Sequence, residues 1–505
     1  MPGARGPSDV PPERPSRGDA VSSTGLTIAE RMDRLPVTRT HRRATVAVGL
    51  GLFFEFYEVF MAGVLSSVLI ETFNLTKKQL PPILASTFIG MFIGALLLGR
   101  FADRFGRRGG FLLNLGCYSL FSFIGAFSPS ALFLMTSRFL AGIGLGAEPP
   151  LADTYLTDLL PSRKRGRFIA IAYTVAFCGV PVVGFFAHSV VDWTILGIAG
   201  WRWMFVFGAL GAVVVFFLRK GLPESPRWLE SVGRHEEADR AVTALEEEAR
   251  AAGLAPVEPE PVADPVPAVP APRPADDHVG APESGRLALL FGKEYGRRSV
   301  MMVIFHLIQT LGYYGFGTMV PLVLIAKGYK VSDSLLYTAF TYIGYPIGSA
   351  LSLPLVERFE RKFLVVASVL TMAVCGLAFG YSNSMALAVV FGFIYTAVSN
   401  IFSNSYHIYQ AEIFPTRLRS TATGGAYSLS RLATAAMPWV LVPLLDHTSP
   451  GVLFVTISGA TILVALDVAI LGPRTTGRAL EDVNGVPSAA PAERPQHRRA
   501  GTPAT

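Results

Sequence analysis

Gly99-Arg-Phe-Ala-Asp-Arg-Phe-Gly-Arg-Arg108 lies between two long apolar runs and packs four arginines, one aspartate and two glycines into ten residues. So much charge cannot lie in hydrocarbon, so the stretch is a tight turn at a membrane face. It has an echo: Asp103-Arg-Phe-Gly-Arg-Arg108 returns as Glu357-Arg-Phe-Glu-Arg-Lys362, 254 residues further on. Tyr155-x-x-Asp158-x-x-Pro161-x-x-x-Arg165 returns at the same distance as Tyr409-x-x-Glu412-x-x-Pro415-x-x-x-Arg419. Two motifs in one register describe a duplicated membrane unit, the construction of many transporters.

The rest of the chain fits that reading. Of its 505 residues 51% are hydrophobic and only 16% charged, a balance that suits a polytopic helical membrane protein and excludes an ordinary soluble enzyme. Twelve apolar segments stand near 45–70, 79–101, 111–127, 130–158, 167–189, 199–220, 297–326, 333–356, 363–381, 385–411, 420–445 and 450–472. Most reach the ~20 residues that cross ~30 Å of hydrocarbon. The expected fold is all-α, with twelve transmembrane helices in two homologous six-helix bundles, 45–220 and 297–472. Residues 1–44 and 473–505 are expected to be disordered tails. The linker 221–296 should hold short helices, one capped by Ser225-Pro226, and then a weakly structured run, 256–282, with nine prolines. Cys117, Cys178 and Cys375 fall inside apolar runs and are expected to be buried thiols. Gly90 and Gly94 repeat as Gly344 and Gly348, small residues four apart that suit close helix packing.

Basic residues give the orientation. Segments on one side carry 37 Lys/Arg and loops on the other carry five, Lys77, Lys78, Arg202, Lys327 and Lys330. That split places both termini and the linker in the cytoplasm. It also explains the net charge of +7 as a topological signal and not as a nucleic-acid footprint. The surplus of arginine over lysine suggests a bacterial inner membrane. A monomer in the lipid bilayer is expected.

Ionisable residues inside apolar segments are costly and need partners or a polar cavity. Glu55 and Glu58 lie in the first segment, three apart on one helix face and ~15–20 Å deep. Two carboxylates in a low dielectric repel, which favours a proton on one of them and suits a proton carrier. The alternative is a buried salt bridge that only orients helices. Arg138, in the fourth segment, stays charged and must find an anion. Glu148, beside Pro149-Pro150, is a further acid on that segment. The seventh segment carries His306, Gln309, Tyr313 and Tyr314, and Gln309 stands 254 residues from Glu55. The tenth carries Ser403, Asn404, Tyr406, His407 and Gln410.

Gly-x-x-x-Asp-Arg-x-Gly-Arg-Arg resembles the loop signature of the major facilitator superfamily. Pro223-Glu-Ser-Pro-Arg-Trp-Leu229 and the two Tyr-x-x-acid-x-x-Pro-x-x-x-Arg motifs resemble its sugar-porter, organic-cation and aromatic-acid symporter branch. The resemblance implies that the acid of Tyr57-Glu58 faces Arg138, making Glu58 the expected principal proton site. It implies that Asp103, Arg104, Arg107, Asp158, Arg165, Glu357, Arg358, Glu412 and Arg419 form a cytoplasmic charge network that latches the inner gate, weaker where Glu360 replaces the turn glycine. It also implies that Gln309 meets substrate. The asparagine that sugar porters carry after the following glycine is Tyr313 here, and their Gly-Pro…Trp pattern is absent from the tenth segment. A hexose site is therefore disfavoured; an aromatic-lined cavity with imidazoles suits a small aromatic or organic acid. Trp201-Arg202-Trp203 resembles the outer start of the sixth helix and is expected to anchor at the interface.

No phosphate-cradling Gly-x-x-x-x-Gly-Lys-Ser/Thr, metal-ligand spacing or nucleophile motif stands in the chain, so no ATP-driven pump, metal, cofactor or enzyme activity is expected. Three functions fit: a proton-coupled importer of a small organic solute, an exporter of drugs or metabolites, and a non-transporting sensor. The paired acids near Arg138 favour the first, whose partners are protons, a small-molecule substrate and lipid.

Overall fold

The computed structural model describes residues 26–256 and 289–475, apart from Glu294 and Pro415. Twelve helices among them are long and apolar enough to cross a bilayer: Arg39–Val64, Lys77–Ala102, Arg107–Ala126, Ala131–Leu159, Ser162–Val190, Gly200–Lys220, Gly296–Ala326, Val331–Arg358, Arg361–Tyr381, Met385–Glu412, Ala422–His447 and Pro450–Leu471. They are the first to twelfth spans below. A two-residue hairpin, Thr194–Ile195 with Ile198–Ala199, is the only sheet among the described residues.

The duplication is legible in the packing. A Cβ at Gly90 would stand 2.1 Å from the Phe139 carbonyl oxygen, and one at Gly94 2.0 Å from that of Ile143. In the second half, Gly344 meets the Phe393 carbonyl at 2.3 Å and Gly348 that of Ala397 at 1.9 Å. Second and fourth spans therefore touch backbone to backbone, and eighth and tenth do the same 254 residues later. The motif tyrosines repeat as well. Tyr155 Oη donates to the Pro223 carbonyl at 2.9 Å and Tyr409 Oη to the Pro473 carbonyl at 2.7 Å, each pinning the end of its own half.

Several spans are interrupted. The fourth breaks between Leu145 and Glu148, ahead of Pro149-Pro150, and the fifth at Cys178, ahead of Pro181. The seventh carries a π-helical turn over Leu311–Gly315, which holds Tyr313 and Tyr314. Such turns re-aim side chains and recur at functional sites.

The halves meet on the face that carries Lys77. Lys77 pairs with Asp446, His188 Nδ1 lies 2.9 Å from the Ser332 carbonyl, and Gly184 sits against Ala339. Beneath them Phe60 of the first span packs among Tyr314, Tyr342 and Tyr345 of the second half, with ring centroids 5.4–6.4 Å apart. Toward the opposite face Asp153 and His407 are exposed. His407 lies within electrostatic reach of Arg431 in the eleventh span.

Some expectations change. The N-terminal segment is not structureless throughout: Ile28–Arg34 is a helix, and the first span starts at Arg39. Arg31 is buried against the linker helix His235–Ala251, donating to Glu246 twice at 2.8 Å and to Thr243 at 2.9 Å, and pairing with Asp239. Ile28, Met32 and Leu35 share a buried cluster with Ala238, Val242 and Leu245, which supplies the apolar burial that a mobile tail would lack. Residues 1–25, 257–288 and 476–505, with most of the proline-rich run and the C-tail, lie outside the described residues. Trp201 is 1% exposed, wedged between Phe73 and Phe205, and so packs in the core and does not anchor in lipid. Cys178 is exposed, because the break in the fifth span turns it outward.

Candidate substrate and proton site

Glu58 and Arg138 form a buried ion pair, 0% and 1% exposed. Ser122 donates to the other Glu58 oxygen. Arg138 Nη2 donates to the Glu58 carbonyl at 2.8 Å and Nε to Thr87 Oγ1 at 3.3 Å, while the guanidinium stands 5.4 Å from the Phe205 ring. A Cβ at Gly208 would come within 2.4 Å of Glu58, so only glycine leaves the sixth span close enough. The pair thus ties the first, second, third, fourth and sixth spans, and both Glu58 carboxylate oxygens and all three Arg138 nitrogens have partners.

A second buried pair joins Glu148 to Arg219. Arg219 also donates to the Ala47 carbonyl at 3.2 Å and the Val48 carbonyl at 3.1 Å, and lies 4.2 Å over the Phe111 ring. Sequence reasoning counted Arg219 as one more basic residue at a membrane face. The signal for its partner was Glu148, a membrane acid still in need of a cation. Glu148→Gln is expected to strand a buried guanidinium and to cost about 3–5 kcal/mol. A clearly lower melting temperature of the purified protein would register it; an unchanged one would show that the two charges do not depend on each other.

Glu55 differs from both. It is 0% exposed, and neither carboxyl oxygen has a hydrogen-bond partner. The charges that reach it are those of Glu148, Arg431, Arg219 and Asp153. Arg431, in the eleventh span, is 3% exposed and forms no ion pair with an acid among the described residues. It donates to Tyr314 Oη at 2.7 Å and to Tyr427 Oη, its guanidinium lies 4.6 Å from the Tyr427 ring, and its Nε is unpartnered. Phe88 covers Tyr314 from the first half, centroids 5.5 Å apart. Asp153, whose charge reaches Glu55, is exposed and hydrogen-bonded to Tyr173. Sequence reasoning placed Arg431 within a helix but not at the site, and Tyr427 and Asp153 were not among the expected site residues.

The other expected substrate residues divide. His306 is 0% exposed and tied to Gln410 at 3.2 Å, Gln309 donates to Ser430 at 3.2 Å, and buried Tyr313 donates to Asn400 at 2.9 Å. These three are packed away from solvent. Tyr314 and Asn404 are partly exposed and His407 is exposed, so these remain open to a solute.

The charge network lies within each half. Asp158 accepts from Ser225 Oγ at 3.0 Å, and the charges of Arg107 and Arg165 act on it. Glu224, which sequence reasoning passed over, caps the third span through the amides of Arg107 and Arg108 at 3.0 and 3.2 Å, where Gly106 takes φ +104°. Burial pushes the Glu224 carboxyl up, and the amides of Ser225, Arg108 and Arg107 pull it back. Arg104 is exposed. In the second half Glu412 pairs at 3.4 Å with Arg361 and not with Arg358, because the chain turns at Glu360 and the ninth span starts there. Glu357 and Arg358 are exposed, and the Asp103 and Arg419 side chains lie outside the described residues.

Residues 44–486 match the family model for the sugar (and other) transporter. YyaJ of Bacillus subtilis (strain 168), named for metabolite transport, is 32% identical over 455 residues, which are 90% of this chain and 96% of YyaJ. The niacin transporter NiaP of Acinetobacter baylyi is 28% identical over 459 residues, 91% of this chain and 100% of NiaP. The inward-open structure of the xylose transporter XylE from E. coli superposes with TM-score 0.68 at 22% identity, over 88% of this chain and 98% of that one.

Proposed function

Because the chain belongs to the sugar (and other) transporter family, we propose that it is a proton-coupled symporter that imports a small organic acid by alternating access. The observation that carries this reading is the pairing of opposites at the centre: a buried arginine without an acid, Arg431, within electrostatic reach of a buried acid without a donor, Glu55. An uncompensated charge in a low dielectric is costly, so each group favours a visiting counterpart. The carboxylate of a solute completes Arg431, and a proton completes Glu55. Tyr314, Tyr427 and Phe88 supply aromatic faces beside the cation. Niacin, the named cargo of NiaP, is a ring carboxylic acid, which supports the same class.

In the proposed cycle the side facing Lys77 opens first. Glu55 takes a proton and the solute carboxylate takes Arg431, which removes both bare charges from the midplane. The halves can then rock closed around the site. On the other side water reaches Asp153, an exposed carboxylate within electrostatic reach of Glu55, and the proton and solute leave together. The Glu58–Arg138 pair holds the first half as one body through this motion.

Proteoliposomes test the reading. An imposed inward proton gradient should drive accumulation of a labelled aromatic carboxylate, and collapsing the gradient should stop it. Equal uptake with and without the gradient, or none of any acid, would overturn it.

The proposed orientation has both termini in the cytoplasm, from the basic asymmetry. In a background freed of native cysteines, Lys78→Cys should react with an impermeant thiol reagent in intact cells and Glu247→Cys only after permeabilisation. Both residues are exposed. Labelling of Glu247→Cys in intact cells would reverse the orientation.

A further inference from the structure

We propose that a groove between the first and sixth spans, at their basic end, binds the headgroup of an anionic phospholipid. The groove measures about 310 Å³ and is lined by Arg39, Arg42, Arg43, Val46, Ala47 and Leu218. Arg39, Arg42 and Arg43 are exposed, and among the described residues none of their side chains makes a hydrogen bond or ion pair. Arg31 is held by Glu246, Asp239 and Thr243, and Arg227 by Asp33. The acids nearby are thus engaged elsewhere: Glu248 accepts from the Thr40 amide, and Glu224 caps the third span.

The arrangement follows the order of a phospholipid. Residues 39, 42, 43 and 46 recur at helical spacing and share one face. The charge comes first, on the outermost turns, and the apolar floor follows deeper. Val46 is 51% exposed, and the floor continues into the exposed apolar stripe of the sixth span, Leu210, Val214 and Phe217. Gly221 lacks a side chain where the Arg43 guanidinium lies: a Cβ there would stand 2.8 Å from Nη2. Topology alone would need basic residues at this end but no groove with an apolar floor. Guanidinium groups over such a floor match a phosphate with acyl chains running inward, and basic pockets between spans bind anionic headgroups in this way.

Native mass spectrometry of the detergent-purified full chain tests this, with phosphatidylglycerol and phosphatidylcholine as probes. The wild type should retain phosphatidylglycerol at least about tenfold better than phosphatidylcholine. Arg39→Gln/Arg42→Gln/Arg43→Gln should abolish that preference, while Arg240→Gln/Arg250→Gln, on the linker helix, should keep it. If the triple variant does not fold, Val46→Trp, which fills the floor and leaves the charges, should lower retention instead. Equal retention of both lipids by the wild type would overturn the proposal, as would undiminished phosphatidylglycerol on the variants. Displacement of phosphatidylglycerol by inorganic phosphate at millimolar concentration would also overturn it, since the site would then read phosphate alone.

Discussion

Glu55→Gln is expected to abolish proton-driven accumulation while solute exchange across the membrane survives. Glutamine keeps the size of the side chain and removes its capacity to carry a proton. Since Glu55 has no hydrogen-bond partner to lose, the substitution strands no other group. In proteoliposomes with an inward proton gradient, the internal-to-external solute ratio should fall to about one, the value for passive equilibration, while counterflow of labelled against unlabelled solute continues. Glu58→Gln should behave differently. It leaves Arg138 buried without an acid and Ser122 without its carboxylate, a loss of about 3–5 kcal/mol that should appear as unfolded or poorly expressed protein. The contrast separates coupling from scaffold. If Glu55→Gln accumulated solute like the wild type, the proton would have to travel through Glu58 or Glu148, and the proposed site would be wrong.

Sequence reasoning ranked these two acids the other way, for a physical reason. Residues three apart share a helix face only broadly: at 3.6 residues per turn they still diverge by about 60°. That rotation turns Glu58 into the bundle of its own half, toward Arg138, Ser122 and Gly208, and Glu55 toward the seam where Arg431 waits. Hydropathy and spacing place a residue at a depth, whereas the partner depends on which neighbour the helix faces. The same limit hid Arg219. It sits at the end of Phe-Phe-Leu-Arg-Lys and counts as a topological arginine, yet it folds back under the Ala47 and Val48 carbonyls to reach Glu148. What repeated at 254 residues was legible, because backbone contacts such as Gly90 on Phe139 and Gly344 on Phe393 leave only small residues possible. Which of the differing residues meet across the seam was not. Glu55 has Gln309 as its counterpart, and the seam is asymmetric by design of its charges.

Arg431→Gln should weaken binding of an organic acid about 10–100-fold, the equivalent of losing one charge-assisted hydrogen bond at ~1.5–3 kcal/mol. Its more telling effect is on selectivity. The wild type should prefer a ring carboxylic acid over the matching amide, because only the acid brings the charge that Arg431 lacks. Arg431→Gln should bring acid and amide close to parity by lowering affinity for the acid alone. Arg431→Lys should recover part of the preference but not all of it. Lysine keeps the charge and loses the planar fork that reaches Tyr314 and Tyr427 at once while leaving Nε unpartnered. The folded protein should tolerate these changes better than it tolerates Glu58→Gln, since Arg431 has tyrosine hydroxyls and no acid as direct partners. Competition of acid and amide against a labelled solute measures the preference in each variant. An Arg431→Gln protein that still favoured the acid as strongly as the wild type would remove Arg431 from solute recognition and leave His407 and Asn404, the open polar groups of the tenth span, as the groups to examine.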